Sequence, residues 1–276
     1  FIPGLGIEHG GAKRWLDIGP ISFQPSELLK IGFIIYFAAW LSGVKDKVSQ
    51  FKYGLLPLLV IIAILGPILY MQTDTKTIVI IFISGISMLL VGGARWRDVI
   101  ILGLVSLLAL SIVAYSRPYI RDRLQTFINP ALNPQGSGYQ IQQSLIAIGS
   151  GQMFGRGFGQ SVQKFNFLPE PIGDSIFAVQ AEEFGFAGST LLVGFFIFFA
   201  FRAMRIASRS TDQFGGLLVV GIVILVVSES FMNIASMLGV IPLSGMPLLF
   251  VSHGGTALLL VLAEVGVILN VSKYQK

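Results

Sequence analysis

The sequence predicts an all-α integral membrane protein, and three observations carry that prediction. Apolar residues make up 54% of the chain and charged residues only 12%, about half the charged share of an ordinary soluble domain. Seven apolar stretches approach the roughly 20 residues that a helix needs to cross a hydrocarbon core. Short basic segments separate alternate stretches, the pattern that membrane topology imposes.

The stretches lie at 28–43, 54–71, 77–92, 98–115, 184–201, 214–235 and 254–271. Each is apolar around its whole circumference, as lipid-facing helices require. Pro57 and Pro67 fall in the second and favour a kink there. Lys45, Lys47 and Lys52 follow the first stretch, and Arg95 and Arg97 follow the third. Arg202, Arg205 and Arg209 follow the fifth, and Lys273 and Lys276 the seventh. The positive-inside rule puts these four segments in the cytoplasm. Residues 1–27, 72–76, 116–183 and 236–253 then face outward. The reading is one polytopic membrane domain over 1–276, with 116–183 as a large extracytoplasmic loop within it. No apolar leader precedes Pro25, and the chain opens on Phe1, so its start is expected to lie inside a longer protein.

Composition also narrows the chemistry. There is no Cys, and the two His are far apart, which disfavours disulfides and a His/Cys metal centre. A net charge of +5 matches cytoplasmic loops and does not call for nucleic acid.

The 116–183 segment is too long for a plain connector. It carries Arg117, Arg121, Arg123, Arg156 and Lys164, and positive charge on the outward side points to an anionic ligand. Within it, Tyr139–Ile148 is amphipathic. Ile141, Leu145 and Ile148 share one helical face, with Gln140, Gln143 and Ser144 away from it. That predicts an interfacial or re-entrant helix, or else an ordinary surface helix.

Several residues could carry chemistry. Asp174 follows Leu168-Pro169-Glu170-Pro171-Ile172-Gly173, a rigid turn before an apolar helix. It reads either as a helix N-cap or as a general base. Glu182 and Glu183 read as helix-terminal charges or as partners of loop arginines. Gly155-Arg156-Gly157-Phe158-Gly159 is a flexible turn or an anion nest, and it lacks the strand of a dinucleotide fingerprint. Gln24-Pro25-Ser26-Glu27 opens the first stretch with Lys30 one turn later. Capping explains Ser26 but not Glu27 and Lys30. Glu229 and Glu264 are acids within apolar stretches, functional candidates by default, either neutral or paired with Lys76. His253 reads as a polar packing residue.

Taken in order, the motifs resemble the SEDS family (shape, elongation, division, sporulation). They run from Gly11-Ala12-Lys13-Arg14-Trp15-Leu16 and Phe23-Gln24-Pro25-Ser26-Glu27-Leu28-Leu29-Lys30 to Gly138-Tyr139-Gln140-Ile141-Gln142-Gln143-Ser144. Ala147-Ile148-Gly149-Ser150-Gly151, Phe167-Leu168-Pro169-Glu170, Ile176-Phe177-Ala178-Val179 and Glu182-Glu183-Phe184-Gly185-Phe186 follow. Asn233-Ile234 and Ser252-His253-Gly254-Gly255 complete the series.

The resemblance implies a ten-span fold, of which this chain would lack the first three. It implies polymerisation of lipid II on its undecaprenyl pyrophosphate carrier, at the outer side of the bacterial cytoplasmic membrane. The family's essential Asp aligns with Asp174, which would deprotonate the acceptor sugar hydroxyl for an inverting attack. Arg121, Arg156 and Lys164 would stabilise the departing pyrophosphate, with room for a divalent cation, Mg or Mn. Arg14, Gln24, Ser26, Glu27, Lys30, Asp74, Gln140, Gln143, Glu170, Glu183, Asn233 and Ser252 would contact substrate. Membrane lipids, a class B penicillin-binding protein (a transpeptidase) and the division or elongation machinery would be its partners.

Gly157-Phe158-Gly159-Gln160-Ser161-Val162-Gln163-Lys164 is closer to the division-type (FtsW-like) branch than to the elongation-type (RodA-like) one. Departures ring the expected cavity. Gln72-Thr73-Asp74-Thr75-Lys76-Thr77 stands for Gln-Pro-Asp-Leu-Gly-Thr, and Ile172-Gly173-Asp174-Ser175 for His-Thr-Asp-Phe. His253 stands for Tyr and Glu229 for Gln. A lipid II flippase and a non-catalytic division scaffold are the competing functions.

Overall fold

The computed structural model describes residues 6–9, 12–18, 21–116, 118–130 and 136–275. Each of the seven apolar stretches is realised as one helix: α1 Pro25–Val44, α2 Leu55–Met71, α3 Thr75–Val91, α4 Trp96–Ser116, α7 Ile176–Ser208, α8 Gln213–Met237 and α9 Gly255–Ser272. Two further helices, α5 Pro118–Ile128 and α6 Ser137–Ser150, lie in the 116–183 segment. α1, α7, α8 and α9 are long and apolar enough to cross a membrane, whereas α2 and α3 have 17 residues each. The chain is a multi-pass membrane protein.

The all-α expectation is corrected near the start of the chain. β1 Gly6–His9, β2 Ala12–Ile18 and β3 Ile21–Phe23 form an antiparallel meander in the order β1-β2-β3. Ile7 pairs with Trp15 and Leu16 with Phe23, and the β1–β2 register shifts between Ile7 and Glu8. The strands are short and mixed in polarity, so hydropathy does not mark them. Their signal is the punctuation, Gly10-Gly11 and Gly19-Pro20, which favours tight connections.

The chain forms two compact units. One comprises residues 1–101, 200–228 and 255–276, the other 102–199 and 229–254. In the first, α1 and α2 both pack on α3. They meet where Gly85 leaves space, since a Cβ there would stand 2.6 Å from a Leu58 methyl carbon and 3.1 Å from the Phe33 ring. The second unit is built on Ile141, Phe177, Phe196, Ile234, Met237, Leu243 and Leu248.

Two details of the second unit shape its polar region. α6 buries Gly138, Ile141, Ser144 and Ala147, while Leu145 is exposed. The packed face combines small residues, which permit close approach, with Ile141, and Ile148 also packs on the core. Ser144 joins it because its hydroxyl donates to the Gln140 carbonyl at 2.8 Å.

α7 begins at Ile176, eight residues before the apolar stretch at 184, and is broken at Gly185 (φ 67°, ψ −165°). The break is stitched by the 152–157 segment. Phe186 and Ala187 N–H donate to the Gln152 and Met153 carbonyls at 2.8 and 3.0 Å. Arg156 and Gly157 N–H donate to the Glu182 and Glu183 carbonyls, both at 3.0 Å. The interruption leaves these backbone groups paired, the condition for irregular backbone at membrane depth. Gly155 (φ 79°) and Gly185 sit backbone to backbone, where neither could carry a side chain.

Candidate active site

The turn carrying Asp174 is fixed by its own backbone. Glu170 adopts φ 47°, and its carbonyl accepts from the N–H groups of Gly173 and Ser175, both at 3.1 Å. The Ser175 hydroxyl donates to the Pro169 carbonyl at 2.8 Å and accepts from Gln140 Nε2 at 2.9 Å. α7 opens at Ile176, and the Ser175 carbonyl accepts the first helical bond, from Ala178 N–H at 3.0 Å. The N-cap position thus belongs to Ser175, and Asp174 stands one residue outside it.

The Asp174 carboxylate is directed at Gly245. A Cβ on Gly245 would lie 3.4 Å from Asp174 Oδ2 and 3.9 Å from Arg123 Nη2. Carboxylate and guanidinium therefore converge on one glycine, whose φ is 62°. Arg123 is anchored there by Nη1, which donates to the Leu243 carbonyl at 2.6 Å.

The 238–254 segment grips the turn from the other side. Asn233 Nδ2 donates to the carbonyls of Asp174 and Met246 at 2.7 and 2.6 Å. Ser252 Oγ donates to the Gly173 carbonyl at 2.8 Å and accepts from Leu248 N–H at 2.7 Å. His253 N–H donates to the Ile172 carbonyl at 2.8 Å. Asn233 and Ser252 thus hold the backbone on which Asp174 is mounted.

Glu182 and Glu183 are buried and occupied. Glu182 accepts from Ser161 Oγ at 2.6 Å and from the N–H groups of Val162 and Gln163 at 3.1 and 3.2 Å. Arg156 Nε lies 3.6 Å from it. Glu183 accepts from Gly159 N–H at 2.9 Å and from Lys164 Nζ at 2.7 Å. The Gly155–Gly159 segment therefore directs its backbone donors inward, Gly159 at the Glu183 carboxylate and Arg156 and Gly157 at the Glu182 and Glu183 carbonyls. Arg156 and Lys164 are likewise engaged with these two acids.

A second polar cluster lies in the first unit. Gln24 Nε2 donates to Ser26 Oγ at 2.8 Å and reaches Asp74 Oδ2 at 3.4 Å, and Thr77 Oγ1 donates to that same oxygen at 2.9 Å. Asp74 is fully buried, and its Oδ1 has no hydrogen-bond partner among the described residues. Lys30, also buried, pairs with Glu27 at 2.8 Å. Gln24, Ser26 and Asp74 are thus joined, with the Glu27–Lys30 pair at the start of the same helix. Arg14 lies in β2, and its side chain is outside the described residues. Arg121 and Glu170 are exposed, and Gln143 is half-buried on α6. Glu229 and Glu264 are both buried.

Sequence reasoning missed Arg123 and Gly245 as site residues. Arg123 had a signal: Ile120, Arg123, Thr126 and Phe127 fall at helical spacing and are the less exposed positions of α5. Arg121 points elsewhere by that periodicity. Gly245 had none beyond its residue type. No group of three or more His, Cys, Asp and Glu that could hold a metal occurs among the described residues.

Comparisons with known proteins agree over the whole length. The family model described as cell cycle protein, FtsW/RodA/SpoVE, matches residues 1–276. Stage V sporulation protein E of Bacillus subtilis is 40% identical over 275 residues, covering 100% of this chain and 75% of that protein. A probable peptidoglycan glycosyltransferase FtsW of Geobacter sp. is 37% identical, covering 99% and 74%. A peptidoglycan synthase complex, solved to show how polymerization and crosslinking are coordinated, aligns at TM-score 0.79 with 27% identity, covering 98% and 76%. The rod shape determining protein RodA of Thermus thermophilus aligns at TM-score 0.67 with 25% identity, covering 99% and 74%. From sequence motifs, helical architecture and these matches together, the chain belongs to the FtsW/RodA/SpoVE family of cell cycle proteins.

Proposed function

We propose that this protein is a peptidoglycan glycosyltransferase that polymerises lipid II outside the cytoplasmic membrane, with Asp174 as general base. The observation that carries the reading is the convergence of Asp174 and Arg123 over Gly245, on a turn held by Gln140, Asn233 and Ser252. A base must keep its orientation while substrate moves, and this backbone is fixed from two sides.

In the proposed reaction a carboxylate oxygen of Asp174 takes the proton of the acceptor sugar hydroxyl. The hydroxyl oxygen bonds to the donor's anomeric carbon. The bond from that carbon to the pyrophosphate oxygen breaks, and the electron pair leaves with undecaprenyl pyrophosphate. Inversion puts the leaving group on the face opposite the nucleophile. Arg123, on the side of the base, therefore acts on Asp174 and not on the leaving group, and helps to hold its direction. Arg121, exposed on α5, is the better placed of the expected cations to meet pyrophosphate, since Arg156 and Lys164 serve Glu182 and Glu183.

The named relatives support the division and sporulation side of the family. Similarity to a complex coordinating polymerization with crosslinking supports a transpeptidase partner. The four basic segments support the outward placement of the 116–183 segment. The test is purified protein in liposomes with labelled lipid II and no other polymerase. Glycan strands are expected. Transbilayer movement of lipid II without strands would replace the enzyme with a flippase.

A further inference from the structure

The 152–167 segment presents a set of aromatic side chains that no part of the catalytic reading uses. Phe154 and Phe158 are 82% and 83% exposed. Met153, Phe165 and Phe167 are also exposed, and the Phe158 ring lies 6.0 Å from that of Phe184. Exposed apolar side chains at this density mark a contact surface.

The surface is rigid. Gly159, Ser161, Val162 and Gln163 donate backbone N–H bonds to Glu182 or Glu183, so the phenylalanines are held outward by buried carboxylates. Its position against α7 is also fixed. Gln152 and Met153 carbonyls accept from Phe186 and Ala187, the first residues past the break at Gly185 on the apolar run of α7. Phe154 therefore sits beside the start of that run. Arg156 and Lys164 within this segment are neutralised by Glu182 and Glu183, so the aromatic side chains carry the contact. Exposed aromatic rings suit the interfacial layer of a bilayer.

We infer that the 152–167 segment is a membrane-interface anchor, with Phe154 and Phe158 inserted among lipid headgroups at the Gly185 end of α7. Leu168 packs with Val179 of α7, and the Asp174 turn follows directly, so the anchor sets the height of the carboxylate above the lipid surface. A lipid-linked substrate carries its pyrophosphate at that surface. This inference does not depend on Asp174 being the base.

The chain has no Cys, so single-cysteine labelling is clean. Phe154→Cys, Phe158→Cys and Phe165→Cys variants of the whole protein would each be labelled with an environment-sensitive fluorophore in phosphatidylglycerol-containing nanodiscs. Ile197→Cys, on the lipid-facing run of α7, provides the deep reference and Gln50→Cys the aqueous one. Headgroup-level and shallow-chain nitroxide lipids are expected to quench positions 154 and 158 at least threefold more than deep-chain nitroxides. Aqueous iodide should quench them less than half as well as position 50. Strong iodide quenching with no lipid quenching would overturn the inference, because the patch would then stand in water. Protection from both quenchers would also overturn it, because the patch would then be covered by protein. These substitutions replace exposed side chains, and circular dichroism with an unchanged unfolding midpoint verifies that each variant is folded.

Discussion

At Gly245 the backbone takes φ 62°, a region that costs an L-residue about 1–2 kcal/mol. A Cβ there would stand at ordinary contact distance from Asp174 Oδ2 and Arg123 Nη2, 3.4 and 3.9 Å, so the φ angle and not crowding is what favours glycine. Gly245→Ala fits the space but strains the backbone, so it is expected to lower the unfolding midpoint while leaving most strand synthesis intact, measured on one preparation by thermal denaturation and lipid II turnover. An unchanged midpoint would show that the positive φ carries no strain there. Arg123→Lys keeps a charge but loses the planar fork that binds the Leu243 carbonyl while facing Asp174, so turnover should fall while the protein stays folded. Asn233→Ala removes two bonds to main-chain carbonyls, and stranding such acceptors costs about 1–3 kcal/mol. Its midpoint should drop further than that of Gly245→Ala.

Among the elements, α7 depends most on partners distant in sequence. Its interruption at Gly185 is tolerated because the 152–157 backbone completes the hydrogen bonding and Glu182 and Glu183 fix the 159–164 loop. Removing one member of a buried ion pair costs roughly 3–5 kcal/mol. Glu183→Ala is therefore expected to destabilise the protein by about that much, reduced because Lys164 is partly exposed, and to raise protease sensitivity within 155–164. Wild-type cleavage there would count against this account. The helices themselves were legible in the hydropathy pattern, since each apolar stretch became one helix. The break in α7 was not, because Gly185 reads as an ordinary helical glycine until the 152–157 backbone is seen against it. The α6 helix was legible in its spacing, but which residues pack was not, since Gly138, Ser144 and Ala147 join Ile141 in the buried face while Leu145 stays exposed. The sheet escaped because β1 and β3 are short and the seven residues of β2 do not alternate in polarity. At the site, Asp174 was legible through its motif, and its setting was not: Arg123 and Gly245 come from segments 51 and 71 residues away in opposite directions.

For the molecule as a whole, the cytoplasmic basic segments and the outward 116–183 segment form one topological claim. In intact cells, a membrane-impermeant maleimide should label Glu170→Cys, whereas Gln50→Cys should react only after lysis. The reverse pattern would invert the protein and remove the Asp174 turn from the side where glycan strands grow. The central claim is narrower: Asp174 transfers a proton and does not merely hold substrate. It is tested most directly by comparing wild-type and Asp174→Asn protein for both lipid II affinity and glycan strand formation under single-turnover conditions. The account predicts near-unchanged affinity with strand formation reduced by about two to four orders of magnitude. Strands made by Asp174→Asn at the wild-type rate would contradict it.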